Sequence, residues 1–191
     1  IRYNTVGLRP DGAPAPNAIN GIFLENSSNA DTIQYNTVSK NGTITVDGTY
    51  SGVRIETSSN VIKNNTIFKN VGRGLDVLVI SSPTATNNKV SQNSIYNNGN
   101  SGDPTAKLRI GFDLGWDGTS VNDNKDPDTG PNDYTNFPVI TGAVPGGSSC
   151  SELISGSYNG LANTQYYIEV FASDVCNGDT SGTNNYAKAG C

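Results

Sequence analysis

Three charged residues and one aromatic occupy the same place in a recurring five-residue pattern. Gly21-Ile22-Phe23-Leu24-Glu25, Gly52-Val53-Arg54-Ile55-Glu56, Gly74-Leu75-Asp76-Val77-Leu78 and Gly111-Phe112-Asp113-Leu114-Gly115 each open with glycine, apolar, any residue, apolar. Side chains alternate across a strand. With the apolar residues turned inward, Phe23, Arg54, Asp76 and Asp113 form one outward column, and Glu25 and Glu56 begin the next. Carboxylates on neighbouring strands beside an arginine can bind sugar hydroxyls or a cation, so Phe23, Glu25, Arg54, Glu56 and Asp76 are the candidate ligand-binding set. A carboxylate pair can also do acid/base work on a glycan. Glu56, Asp76, Asp113 and Arg54 are therefore the set that an enzyme would use. The plainer alternative is a solvated ladder of alternating charge, which contributes little to stability. A lyase would also need a base, and nothing in the sequence singles one out among Arg54, Lys69 and Arg73.

A second concentration of chemistry lies in residues 116–136, poor in apolar residues and rich in oxygen ligands. Asp117, Asp123, Asp126, Asp128 and Asn132 offer clustered hard oxygens of the kind that Ca²⁺ takes, six to eight at a time. Asp126-Pro127-Asp128-Thr129-Gly130 resembles part of an EF-hand loop, but the closing glutamate and flanking helices are missing. A polar, turn-rich linker is the competing account. Histidine is absent, so neither a Ser-His-Asp nor a Cys-His device is available within these residues. Cys150, Cys176 and Cys191 all fall in the last quarter, without a Cys-x-x-Cys pair. A Cys150–Cys176 disulfide with Cys191 left over is the expected arrangement, and it implies an oxidising, extracellular setting; reduced, buried cysteines in a cytosolic protein are the alternative.

The elements that would position these groups repeat along the chain. Ile1-Arg2-Tyr3-Asn4-Thr5-Val6, Ile33-Gln34-Tyr35-Asn36-Thr37-Val38, Ile62-Lys63-Asn64-Asn65-Thr66-Ile67 and Val90-Ser91-Gln92-Asn93-Ser94-Ile95 align without gaps, and the shared asparagine advances by 32, 29 and 28 residues. Asn41, Asn70 and Asn98 follow five residues later. Ser27-Ser28-Asn29, Ser58-Ser59-Asn60 and Ser81-Ser82-Pro83 form a polar turn column. Each unit is too small to bury its own core, so the units must stack. The asparagines are expected to stack about 4.8 Å apart and to take the left-handed conformation that sharp turns need. Loops of variable length, near Gly7–Asn20, Gly42–Ser51, Val71–Arg73 and Gly99–Ile110, enter at one corner.

These observations predict an all-β chain: a parallel β-helix of about four coils over 1–115, an acidic linker over 116–147 and a small antiparallel β-sandwich-like module over 148–191. In the last part, Leu153–Tyr158 and Tyr166–Ala172 are the expected hairpin strands. The apolar fraction, 34%, suits a thin solenoid better than a compact enzyme core. A net charge of −5 without a basic stripe argues against nucleic acid as a partner. No apolar run approaches the roughly 20 residues of a membrane span. The chain opens inside a repeat unit and contains no methionine, so it is expected to be a piece of a longer parent chain.

The repeats over 52–67 and 93–99 resemble right-handed parallel β-helix proteins of the pectin-lyase-like superfamily. The run Gly111–Gly115, Asn122-Asp123, Asp126–Asn132 and Asn136–Val139 is similar to the end of such a helix in large secreted bacterial surface proteins. The resemblance implies a structural, adhesive or glycan-contacting segment at the bacterial cell surface. It also brings a polysaccharide-degrading enzyme as the alternative, because some relatives cleave acidic polysaccharides, although the catalytic residues of the pectin-cleaving families have no match here. A self-assembling filament subunit is a further alternative, since an open coil end invites strand pairing.

Overall fold

The structure, a computed structural model, describes residues 1–25, 28–42, 50–79, 85–99, 110–145 and 152–171. Eleven short strands wind into stacked coils: β1 (Thr5–Val6), β2 (Ile22–Leu24), β3 (Thr32–Gln34), β4 (Thr37–Ser39), β5 (Ser51–Ile55), β6 (Val61–Lys63), β7 (Thr66–Phe68), β8 (Arg73–Val77), β9 (Lys89–Ser91), β10 (Ser94–Tyr96) and β11 (Phe112–Leu114). They form three parallel sheets, in the orders β1-β4-β7-β10, β2-β5-β8-β11 and β3-β6-β9. The repeat alignment is the register: Thr37 sits opposite Thr66, and Ile62 opposite Val90. One apolar side chain per strand in the β3 and β4 sheets, and two per strand in the sheet that holds β2, β5 and β8, point to the axis. Ile22, Leu24, Ile33, Val38, Val53, Ile55, Ile62, Ile67, Leu75 and Val77 make a single narrow core.

Strands this short leave most of each coil in corners, and asparagines close the corners. Asn65 shows the full pattern. Its backbone N–H and its Nδ2 both donate to Asn93 Oδ1 at 2.9 Å, while Nδ2 also reaches Ile33 O and Lys63 O. Its own Oδ1 accepts from the N–H and Nδ2 of Asn36, both at 3.0 Å. The same bonds join Asn4 to Asn36, and Asn17, Asn41, Asn70 and Asn98 form a second ladder. A third, Asn60–Asn88–Asn132, was not anticipated from the sequence.

In the first two ladders the left-handed residue at the corner is not the ladder asparagine but the one before it. Tyr3, Tyr35, Asn64 and Gln92 have φ between 55° and 59°, and Lys40, Lys69 and Asn97 between 52° and 58°. The side-chain amide explains the shift. It donates to the carbonyl two residues back, as Asn65 does to Lys63 O, and so clamps the intervening residue in a conformation costing about 1–2 kcal/mol. The glycine opening each β5-type strand is required for a different reason. A Cβ on Gly52 would lie 2.6 Å from Asn70 Nδ2 and 2.7 Å from Gly74 O, inside the space the second ladder uses. Outside the coil, in-register aromatics stack: Tyr3 on Tyr35 at 5.1 Å and Phe68 on Tyr96 at 5.2 Å.

Beyond the coils, β12 (Val139–Pro145) pairs antiparallel with β13 (Glu152–Ser157). This corrects the expected hairpin, in which Leu153–Tyr158 would pair with Tyr166–Ala172. Residues 165–171 form no strand. Tyr166 turns onto the ring of Tyr158, 4.6 Å away, and its hydroxyl accepts from Leu161 N–H. Glu169 accepts from Gln92 N–H, and Lys89 Nζ lies 5.7 Å from the Tyr167 ring centre, so this segment is committed to the last coil.

The ladder makes position decide cost. Asn65→Ala would strand several buried donors and acceptors at about 1–3 kcal/mol each and is expected to lower the unfolding free energy by about 3 kcal/mol or more. Asn4→Ala, at the exposed first rung, should cost less than about 1 kcal/mol. Denaturant midpoints of the two variants measure the difference, and equal losses would refute the ladder account.

Candidate functional site

Register brings the candidate column together as the alternation implied. Phe23 faces Arg54, Arg54 faces Asp76, and Asp76 faces Asp113 along β2-β5-β8-β11. Yet the column is not solvated. Arg54 is 7% exposed, Glu56 2%, Asp76 0% and Asp113 1%; only Phe23 and Glu25 reach solvent. The exposed ladder of alternating charge is thereby corrected. The side chains do point away from the core, but a second layer covers them.

Part of that layer is the strap after β11. Gly115 N–H still donates to Val77 O, and the chain then turns back through Trp116 at φ 74°. The indole lies against both arginines, 5.5 Å from Arg54 Cζ and 5.9 Å from Arg73 Cζ, while Phe23 meets Arg54 from the other side at 5.4 Å. Cation–π contacts of this kind strengthen when desolvated. Arg73, which heads β8, also donates to Trp116 O at 2.6 Å and pairs with Asp113. Asp113 Oδ2 in turn accepts from Gly118 N–H at 3.3 Å, so one carboxylate ties the strap to the coil. Arg54 is paired with Glu56 at 2.6 Å. Arg73 and Ser51, assigned from sequence to loops, are strand residues opposite one another and belong to the site. Their place one register step before the glycine column was the signal available to find them.

Asp76 is the unusual member. Among the described residues neither of its oxygens has a hydrogen-bond partner, and the same holds for Asp113 Oδ1 and Ser51 Oγ. Burial pushes the Asp76 carboxyl up to about 7. Ser51, Arg54 and Arg73 pull it back, although the Ser51 hydroxyl makes no bond of good geometry, and Asp113 adds to the rise. Burial also raises Asp113, against the pull of Arg73.

The acidic-loop residues do not converge. Asp117 lies exposed on the strap and Asp128 is exposed on the surface. Asp123 and the buried Asp126 are joined through Asn136, whose Nδ2 donates to Asp123 O and whose N–H donates to Asp126 Oδ1. Asn132 accepts from Asn88 N–H and donates back to Asn88 O, ending the third ladder. Among the described residues no three acidic, histidine or cysteine side chains are placed to hold a metal ion. Cys150, Cys176 and Cys191 lie outside the described residues. No described helix is long and apolar enough to cross a membrane.

The raised carboxyl sets a pH dependence. In the unfolded chain Asp76 titrates near 3.8 and in the folded chain near 7. The folded state holds the proton more tightly, so its contribution is complete below the lower value and is lost as pH climbs through the higher one. Asp76→Asn should raise the melting temperature at about pH 8 by on the order of 5 °C, with the gain shrinking toward about pH 4. Melting curves at the two pH values test this, and a gain independent of pH would show that the carboxyl is not held neutral.

No curated protein and no solved structure matches the chain. Residues 16–109 match the family model described as a right-handed beta helix region. Together with the three in-register parallel sheets, this match shows that the coils have the parallel β-helix fold.

Proposed function

We propose that the chain is a non-catalytic structural segment of a larger secreted or cell-surface bacterial protein, displaying the regular outer faces of its coils to glycans or to neighbouring parts of its parent. One observation carries this. The sequence-predicted acid/base column is filled and covered, with Asp76 and Asp113 almost wholly out of solvent, so with the strap closed a polymer has no line of approach to it. The asparagine ladders supply what a scaffold needs, namely corners whose backbone groups are satisfied from coil to coil and give a protease little purchase.

A second reading, polysaccharide cleavage, is favoured by Asp76 itself. A carboxyl poised near neutrality beside another carboxyl and an arginine has the properties of a catalytic acid. Filament formation by end-to-end stacking is the weakest of the three. At the last coil, Asn132 and Glu169 occupy hydrogen-bonding positions that a further coil would use.

Incubation with a panel of acidic and neutral polysaccharides separates these readings. The scaffold reading expects no new reducing ends from any polymer, with any retention on immobilised glycan unchanged in Asp76→Asn. Release of reducing ends from one polymer, abolished in an Asp76→Asn/Asp113→Asn variant, would overturn it in favour of the enzyme.

A further inference from the structure

Four buried oxygens without partners lie together on three successive strands: Ser51 Oγ on β5, both carboxylate oxygens of Asp76 on β8 and Asp113 Oδ1 on β11. Buried polar atoms left unbonded are rare and call for a physical explanation. The charges around them narrow the choice. From β5 come Arg54 and, just beyond it, Glu56, which are paired. Arg73 on β8 is paired with Asp113. Asp117 adds further negative charge near Asp113, and the Tyr134 hydroxyl, whose titration burial and the nearby carboxylates push up, stays neutral. Asp76 is thus the odd charge of the cluster, and an uncompensated carboxylate this deeply buried is among the most costly arrangements a protein can hold.

One added proton, together with the hydrogen that the Ser51 hydroxyl already carries, satisfies the whole set. We propose that Asp76 is carried as a neutral acid that donates to Asp113 Oδ1 and accepts from Ser51, and that loss of this proton releases the Trp116 strap. The coupling runs through Asp113, which also grips the strap through Gly118 N–H. With Asp76 protonated, Asp113 receives a hydrogen bond on Oδ1 and keeps Oδ2 for Arg73 and Gly118 N–H. With Asp76 ionised, two carboxylates face each other across adjacent strands, and the cheapest relief is for Asp113 to draw away, taking Gly118 and the Trp116 carbonyl contact of Arg73 with it. The strap is a short loop that takes no part in the asparagine ladders, so it opens before they do. The device makes the covered column accessible on the alkaline side and sealed on the acid side.

Trp116 is the only tryptophan, so its fluorescence reports the strap directly. In the wild-type chain, acrylamide quenching should rise about twofold, as expected for local opening of a loop, in one titration centred near 7. Asp76→Asn, which keeps the donor and acceptor and cannot ionise, should stay at the low value from about pH 5 to about pH 9. A flat wild-type profile, or the same titration in Asp76→Asn, overturns the proposal. Calcium that restores the low value at high pH would place a cation at the carboxylate and overturn it too. Should Asp76→Asn fail to fold, infrared spectra of the wild type decide the matter. A protonated carboxylic acid band is expected in the acid state and must vanish through the same transition; its absence in the acid state overturns the proposal.

Discussion

The side-chain amide of asparagine governs this molecule. A strand of two to five residues offers only a few backbone hydrogen bonds, and every coil must turn three times. Turning exposes N–H and C=O groups that cannot be buried unpaired. Asparagine is the residue that can accept from the coil beneath with its oxygen, donate to the coil above with its backbone, and clamp its own corner with its Nδ2. Asn36, Asn65 and Asn70 do all three while almost wholly buried. Once the rungs are fixed, everything between them is fixed. A slip of one residue would turn the core strip outward and also break every rung.

That rigidity explains why charged side chains end up stacked where a flexible fold would separate them. Register places Asp76 directly against Asp113, a like-charged pair that no surface ladder would choose. The structure answers with Arg73, which enters from the start of β8 to meet Asp113, and with a strap that shuts out water. Buried ion pairs of this kind are poor stabilisers, because desolvation consumes most of what attraction returns. Their effect here is to specify position. Arg73 and Asp113 determine where residues 115–118 lie, and so what the outer face of this sheet presents.

The repeat architecture was legible because it is written as period. Asn4, Asn36, Asn65 and Asn93 recur in step with the apolar residues beside them, and in the inner coils those apolar residues, Ile33, Val38, Ile62 and Ile67, are core. The candidate column was legible as a line, since alternation along a strand needs no knowledge of what covers it. Its burial was not legible. It depends on Trp116 folding back across the arginines, a non-local contact that leaves no periodic trace. The place of Asn132 at the end of a ladder was not legible, because an asparagine in an acidic loop and an asparagine ending a ladder look alike until its partner, Asn88, is known. The strand character of 166–171 failed for a similar reason. Alternating tyrosine, isoleucine and valine signal a strand, but Tyr158, Gln92 and Lys89 claim Tyr166, Glu169 and Tyr167.

The enzyme and scaffold accounts of the column share one set of atoms and differ in whether the cover is ever off. A catalytic acid must meet its substrate, and Asp76 in the closed arrangement meets only protein. Conversely, a residue serving structure alone would gain from being asparagine or serine, which fill the same space without a charge to hide. The chain keeps a carboxyl in a wholly buried position, where ionisation is costly, next to a second carboxyl that holds the cover down. An arrangement that is worse for stability than its neutral isostere, and coupled to a loop able to move, is better explained by a change of state than by either permanent closure or permanent access. The ladders make such a change affordable, since the strap can lift without disturbing a single rung between Asn4 and Asn93.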